Sequence, residues 1–124
     1  MLRLNHANLP VAEPGPLRDF LVRHFGFETL LTRGDDAFVV LKGEGDFILN
    51  VMRAKPTDHG FPANFHIGFF LDSPDDVRSK HAELTAAHVD AGDVQSLTRG
   101  GWSSLTFYCH APNNILVEVG CELP

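Results

Sequence analysis

The feature that most constrains this chain is an internal repeat. The segment HANLPVAEP (6–14) aligns with HIGFFLDSP (66–74), so that in both a histidine stands eight residues before a proline, at an offset of 60 residues. A helical pattern opens after each proline, and each half closes on an apolar segment, FILNVM (47–52) or ILVEVG (115–120). A repeat of this length indicates two copies of one supersecondary unit.

The first half is predicted to be a strand, a helix and three more strands. LRLNHANLPV (2–11) alternates and reaches a proline, which is typical of a strand. PLRDFLVRHFGF (16–27) has apolar residues at helical spacing, with Pro16 suited to the first turn and Gly26 to the stop. Turn residues then separate strands predicted at 27–32, 37–42 and 47–52.

The second half repeats this order. NFHIGFFLD (64–72) predicts a strand, and residues 73–92 predict a helix with Ser73 as its N-cap and Gly92 as its stop. Strands are predicted near 94–97, 103–110 and 115–120. Because a chain of 124 residues suits one core, we expect a single domain over 1–124, with module 1 at about 2–53, a linker at about 54–63 and module 2 at about 64–121.

Strand periodicity sorts the polar residues onto one face. Side chains alternate along a strand, so Ile67 and Phe69 share an apolar face suited to packing under a helix, while His66 points the other way. The same parity separates Glu118 and Asn50 from their apolar neighbours. We therefore expect four equivalent positions on the helix-free face of the sheet: His6, Asn50, His66 and Glu118.

Composition narrows the functional classes. Lys and Arg number 10 against 16 Asp and Glu, a formal net charge of -6 with no basic tract, so nucleic acid is not an expected partner. No apolar run has the length of a membrane span, and the N-terminus lacks the apolar core of a signal peptide. Cys109 and Cys121 fit neither a disulfide framework nor a zinc spacing. We expect a cytoplasmic protein with reduced thiols and no membrane partner.

Four segments together resemble the vicinal-oxygen-chelate superfamily, which includes glyoxalase I, fosfomycin-resistance proteins, bleomycin-binding proteins and extradiol dioxygenases. They are LNHANLPV (4–11), FLVRHFGFETL (20–30), NFHIGFFLDSPDDV (64–77) and FYCHAPNNILVEVG (107–120). The resemblance extends over about residues 2–121. It implies an α+β fold in which two tandem βαβββ modules form a half-open mixed-sheet barrel.

The resemblance also implies a metal site. His6, His66 and Glu118 match the ligand positions of the family. Two histidines and one carboxylate leave coordination positions open and suit Fe(II) and other divalent ions. We therefore expect a divalent metal cofactor, Fe, Mn, Zn or Ni, and a small-molecule substrate whose neighbouring oxygens chelate it. Relatives with two modules often build each site from two chains, which predicts a homodimer.

Asn50 departs from the glyoxalase I pattern. That enzyme usually has a glutamate at this position, which serves as ligand and base. Asparagine cannot take a proton from carbon and is a weak metal ligand, so classical glyoxalase I activity is not expected. Asn50 is instead a candidate for orienting a ligand or a metal-bound water, and the alternative is a polar residue on an exposed face.

Tyr108 and His110 are candidate proton-transfer residues. Tyr108 stands ten residues before Glu118, where extradiol dioxygenases place an active-site tyrosine, and His110 shares its strand face by parity. The second-shell histidines of those dioxygenases have no counterpart in LTRGGWSS (97–104) or in GEGDFILN (43–50). Fosfomycin resistance is disfavoured because no cluster of basic residues matches the phosphonate site.

Two functional classes stay open. The first is a metal-dependent lyase, isomerase or dioxygenase that acts on a small oxygen-rich or aromatic molecule. The second is a metal-free protein that sequesters a small molecule, as bleomycin-binding relatives do. The missing fourth ligand favours this alternative, and the net charge of -6 would attract a cationic compound.

Overall fold

The computed structural model describes residues 1–124. Two single-turn 3-10 helices, Glu44–Asp46 and Pro112–Asn114, precede the last strand of each half. The predicted βαβββ order is confirmed in both halves. The elements are β1 (His6–Val11), α1 (Pro14–Phe25), β2 (Glu28–Arg33), β3 (Phe38–Lys42), β4 (Ile48–Arg53), β5 (His66–Phe70), α2 (Pro74–Ala86), β6 (Gln95–Arg99), β7 (Trp102–Ala111) and β8 (Ile115–Glu122).

The chain divides into two compact units, Met1–Phe61 (unit 1) and Pro62–Pro124 (unit 2). Their four-stranded sheets have the same order, β1-β4-β3-β2 and β5-β8-β7-β6. The first pair of each sheet, β1 with β4 and β5 with β8, is parallel, and the remaining pairs are antiparallel. The first and last strands of each unit therefore lie side by side, which brings the predicted polar positions of each half onto neighbouring strands.

Helix α1 has proline at its start and glycine at its end. It begins at Pro14, two residues before the predicted start. Proline suits this position because the amide it lacks would have no helical partner there. Gly26 follows the last helical residue with φ 68°, and its amide donates to the carbonyl of Leu21. This left-handed cap confirms Gly26 as the predicted stop.

Helix α2 is shorter than predicted. Its N-terminus is as expected, because the Ser73 side chain accepts a hydrogen bond from the amide of Asp76. Its predicted end at Gly92 is wrong, since the helix ends at Ala86 and His88 has φ 62°. The amide of Gly92 instead donates to the carbonyl of Tyr108 at 2.8 Å, so this glycine is hydrogen-bonded to strand β7. Neither helix is both long and apolar enough to span a membrane.

Several strand boundaries also differ from the predictions. The first strand begins at His6 instead of residue 2. Strand β6 extends to Arg99, beyond the predicted end at residue 97, because Arg99 pairs with Trp102 across a tight hairpin. Gly100 and Gly101 form that hairpin with φ 56° and 81°, values that glycine adopts without steric cost.

The core of each unit lies between its helix and one face of its sheet. Alternate strand residues are buried there, as the period-two pattern predicts. Full burial of one large apolar side chain contributes about 1.5–3 kcal/mol, so these residues dominate the stability of each unit. Among the most buried are Leu17, Leu21, Val39, Leu41 and Val51 in unit 1, and Val77, Leu84, Phe107, Val117 and Val119 in unit 2.

Candidate metal and substrate site

Three of the predicted site residues come together on neighbouring strands of unit 2. His66 Nε2 lies 3.5 Å from Glu118 Oε1, and the hydroxyl of Tyr108 donates a 2.5 Å hydrogen bond to the same oxygen. The rings of His66 and Tyr108 meet edge to face with centroids 5.7 Å apart. The cluster therefore places an imidazole, a phenol and a carboxylate within direct reach of one another.

Strand register explains this grouping. Glu118 on β8 lies opposite Gly68 on the parallel strand β5 and opposite Tyr108 on the antiparallel strand β7. His66 is two residues before Gly68 and therefore on the same face. Because Gly68 has no side chain, nothing at that position separates the Glu118 carboxylate from the His66 ring. The parity argument from sequence had placed His66 and Glu118 on one face of the sheet, and register shows that this face is shared.

A second hydrogen bond fixes which nitrogen of His66 faces Glu118. His66 Nδ1 lies 3.1 Å from the backbone carbonyl of Asn64. A carbonyl only accepts, so Nδ1 carries the proton and Nε2 of the neutral ring carries the lone pair. Metal-binding histidines are commonly oriented by such a bond. A lone-pair nitrogen and a carboxylate oxygen 3.5 Å apart fit two ligands of one divalent cation.

Tyr108 is held in its protonated form. The hydrogen bond to Glu118 raises the pKa of the Tyr108 hydroxyl, and burial and the Glu118 charge add to this, while Arg99 opposes it. The phenol therefore stays neutral at physiological pH and acts as a donor. Of the roles open to a proton-transfer residue, hydrogen-bond donor or acid suits Tyr108, and base does not.

Beside the cluster lies a shallow depression lined by Leu97, Arg99, Trp102, Ser104 and Glu118. The Trp102 ring stacks on Phe70 with centroids 5.6 Å apart and planes at 11°, and its indole N–H donates to Glu122 at 2.6 Å. Arg99 was missed in the sequence, because an isolated arginine before a Gly-Gly turn gives no functional signal. The depression offers a cation and flat aromatic surface next to the Glu118 carboxylate.

Unit 1 has different chemistry at the equivalent positions. Asn50 on β4 lies opposite Asn8 on β1, and Asn50 Nδ2 donates to Asn8 Oδ1 at 2.7 Å. His6 is exposed at the start of β1, and its Nδ1 lies 2.9 Å from Asn5 Oδ1. With Nδ1 held in this way, Nε2 of His6 is the nitrogen left to bind a ligand.

His110 stands apart from the cluster. It is exposed and lies on β7, two residues beyond Tyr108. Leu116 on β8 separates it from His66, because Leu116 pairs with His110 on one side and with His66 on the other. The structure thus brings together His66, Tyr108 and Glu118, and it places His6 and Asn50 in unit 1. No group of three or more His, Cys, Asp or Glu side chains is gathered in a metal-binding arrangement.

Comparison with known proteins gives the family. The model of the glyoxalase/bleomycin resistance protein/dioxygenase superfamily matches residues 3–119. The chain therefore belongs to this superfamily, as its sequence pattern predicted. No curated protein sequence matches the chain significantly.

Solved structures show the same fold over nearly the whole chain. A possible glyoxalase from Bacillus cereus is 30% identical, with a TM-score of 0.82 over 98% of this chain and 100% of its own. A lactoylglutathione lyase from Agrobacterium tumefaciens is 21% identical, with a TM-score of 0.74 over 98% and 94%. The fosfomycin resistance protein FosX from Listeria monocytogenes is 18% identical, with a TM-score of 0.74 over 98% and 93%.

Proposed function

We propose that this protein is a divalent-metal-dependent enzyme that acts on a small molecule through two neighbouring substrate oxygens. The proposed ligands are His6, His66 and Glu118. The observation that carries the proposal is the 3.5 Å approach of His66 Nε2 to Glu118 Oε1, with Nδ1 committed to the Asn64 carbonyl. Superfamily membership supports small-molecule chemistry, and so does the fold that the chain shares with a lactoylglutathione lyase and a fosfomycin resistance protein.

A divalent ion bound there would supply Lewis-acid stabilisation of a substrate oxyanion or, if it were iron, activation of oxygen. The ion could be Fe, Mn, Zn or Ni, since the proposed donor set suits each of these. The reaction class is a lyase, isomerase or dioxygenase. Classical glyoxalase I chemistry is not proposed, because Asn50 is neutral and already hydrogen-bonded to Asn8.

The remaining residues have separate roles. Tyr108 keeps its proton at the hydroxyl and donates to Glu118 Oε1, which fixes the carboxylate orientation. His110, exposed on the same strand, exchanges protons with solvent or product. Asn50, held by Asn8, orients a polar group of the substrate. Arg99 binds an oxygen-rich or anionic part of the substrate, since it lines the depression beside Glu118.

The assembly and location are part of the same proposal. We propose a homodimer, as in related two-module proteins, and a cytoplasmic location. Both cysteines are free and buried, which fits a reducing compartment.

The decisive experiment is metal content, measured by elemental mass spectrometry on protein purified without a histidine tag. We expect about one ion per chain, bound by the three ligands. His66→Ala and His6→Ala should each lose it, whereas the control His59→Ala, which removes an exposed histidine outside the strands, should keep it. Less than about a tenth of an equivalent after reconstitution with each metal would overturn the metal site.

A metal-free binding protein is the second candidate function. The stacked rings of Phe70 and Trp102 favour it, because their exposed faces suit a planar ligand. Metal-stripped protein would then bind a cationic aromatic compound in one-to-one stoichiometry, and Trp102→Ala would weaken that binding. If metal-stripped protein fails to bind while metal-loaded protein does, this alternative is wrong.

A further inference from the structure

The outer strand of unit 1 has a sequence that is complementary to itself. Strand β2, ETLLTR (28–33), stands last in the order β1-β4-β3-β2, and all six of its residues are exposed. From the centre outwards, leucine is followed by threonine on both sides, and the ends carry Glu28 and Arg33. If this strand met a second copy running antiparallel, leucine would meet leucine, threonine would meet threonine, and each acid would meet a base.

A β-bulge makes this pairing geometrically consistent. Residues opposite each other in an antiparallel pair point to the same face of the sheet. In a regular strand, Glu28 and Arg33 would point to opposite faces, because they are an odd number of positions apart. Here the register with β3 shifts between Thr29 and Leu31, which leaves Leu30 as an extra residue.

The register with β3 shows the result of the bulge. Glu28 pairs with Lys42 and Arg33 with Phe38, and these two β3 residues are four apart and share a face. Thr29 and Thr32 pair with Leu41 and Val39, which share the opposite, buried face. The Glu28/Arg33 pair and the Thr29/Thr32 pair therefore each lie on one face, as a twofold axis perpendicular to the sheet requires.

We propose that β2 is a self-association strand that pairs antiparallel with β2 of a second copy of this chain. The twofold axis passes between Leu30 and Leu31. Glu28 of each copy faces Arg33 of the other, so the dimer contains this ion pair twice. The two four-stranded sheets of unit 1 then join into one continuous eight-stranded sheet.

Exposure at the centre of the strand gives the apolar part of the interface. Leu30 is 49% exposed and Leu31 is 37% exposed, and they are adjacent at the unpaired edge. Edge strands are commonly protected by charged side chains, which discourage pairing with a second strand. The two charges of β2 have opposite signs and stand at its two ends, so they favour the antiparallel pairing.

The equivalent edge of unit 2 lacks this property. Strand β6, QSLTR (95–99), is also last in its sheet order. An antiparallel copy would place Gln95 opposite Arg99, and no acid is available for the arginine. Self-association by this route is therefore specific to unit 1, and no residue of β2 is a proposed metal ligand.

A contact of six residues per strand is small, so we expect a reversible dimer with a dissociation constant of about micromolar order. Sedimentation equilibrium should be measured for the wild type, Glu28→Arg, Arg33→Glu and the double variant Glu28→Arg/Arg33→Glu. Each single reversal places like charges opposite each other twice and should weaken dimerisation at least about tenfold at low salt. The double variant restores both ion pairs and should dimerise like the wild type.

Arg23→Glu, an exposed change of the same charge on α1, is the matched control and should leave dimerisation unchanged. Leu31→Lys should abolish it, because the lysine would lie at the centre of the interface. Circular dichroism confirms that each variant is folded. A wild type that stays monomeric at high micromolar concentration overturns the proposal. So does a dimer that is indifferent to the single reversals, or a double variant that fails to recover.

Discussion

In unit 2 the last strand presents Glu118 to His66 and Tyr108, whereas in unit 1 the equivalent residue is Asn50 and its partner is Asn8. The two positions have the same register, each on the last strand, next to a parallel first strand. The same strand pairing can therefore carry different side-chain chemistry. One hydrogen-bonding pattern supports a charged cluster in one half and a neutral amide pair in the other.

The pair in unit 1 is made of two neutral amides, whereas the cluster in unit 2 contains a carboxylate. The Asn50 amide donates a hydrogen bond to the Asn8 side-chain oxygen, so these two polar groups are paired within unit 1. In unit 2 both contacts of Glu118 involve Oε1, and in the neutral form of His66 the proton lies on Nδ1, toward the Asn64 carbonyl, which leaves none on Nε2. A bound cation would balance the charge of this carboxylate, so we expect Glu118 to contribute more to metal affinity than the neutral Asn50.

The two units also differ in the size of the side chains that fill their cores. Phe107 lies opposite Val119 in β7–β8, and the equivalent residue of unit 1 is Val39, opposite Val51 in β3–β4. Both Phe107 and Val39 are fully buried. The Phe107 ring also meets the His81 ring of α2 edge to face at 4.9 Å. Unit 2 therefore depends on one large side chain where unit 1 uses a small one.

The largest expected effect tests this difference in the cores. Phe107→Ala should lower the free energy of unfolding by about 3–5 kcal/mol, because it leaves a cavity and removes the contact with His81. Val39→Ala should cost roughly 2 kcal/mol, since fewer buried carbons are lost. Urea unfolding followed by circular dichroism measures both. Equal losses of unfolding free energy in the two variants would show that Phe107 contributes no more to stability than Val39 does.

The next effect concerns the charge at the site. Glu118→Gln keeps the size of the side chain and an oxygen for the Tyr108 hydroxyl but removes the negative charge. Affinity for Mn²⁺ or Zn²⁺ should fall about a hundredfold. Glu122→Gln is the matched control, because Glu122 lies on the same strand but binds the Trp102 indole. Calorimetric titration measures the affinity, and unchanged binding in Glu118→Gln would remove Glu118 from the ligand set.

Unit 1 can be changed in the opposite direction. Asn50→Glu introduces a carboxylate where unit 2 has Glu118, and it should tighten metal binding by about tenfold if the four positions converge on one ion. Asn50→Gln has the same length without the charge and should not. The same titration compares the two. Equal affinities would show that the position on β4 does not reach the metal.

The smallest effect is a pH dependence confined to unit 2. Burial raises the pKa of the Cys109 thiol from 9.0 to about 11, and Asp90 adds to this, whereas the equivalent residue of unit 1 is Leu41. Below pH 9 the thiol is protonated in the folded and unfolded chain alike. Between pH 9 and about 11 only the unfolded chain ionises, so stability should fall, by roughly 1 kcal/mol at pH 10.

Urea midpoints at pH 8 and pH 10 measure this loss. Cys109→Ala should be less stable than the wild type at pH 8 but should lose less between the two values. A variant that loses as much as the wild type would assign the alkaline sensitivity to other groups.

The element order and the grouping at the site could be predicted because both follow from local periodicity. Alternation placed His66 and Glu118 on one face without knowledge of the strand order. Tyr108 was linked to Glu118 by the family resemblance, and the structure shows the two residues opposite each other in the β7–β8 hairpin. Patterns of this kind depend on the backbone period and survive without tertiary information.

Other features depend on tertiary contacts and gave no local signal. The bulge at Leu30 arises from the register of β2 against β3. Helix α2 ends at Ala86 because Val89 N–H folds back to the Leu84 carbonyl, although Gly92 offers a more obvious stop. The depression beside Glu118 forms when the β6–β7 hairpin brings Arg99 next to Trp102. Arg99 carried no functional signal in the sequence, so its position at this depression becomes clear only from the hairpin.

Each unit is made from one uninterrupted stretch of chain, Met1–Phe61 and Pro62–Pro124. A single cut between residues 61 and 62 would therefore leave every strand ladder and both helix caps whole. Each half can therefore acquire substitutions on its own sheet face without disturbing the strand hydrogen bonds of the other.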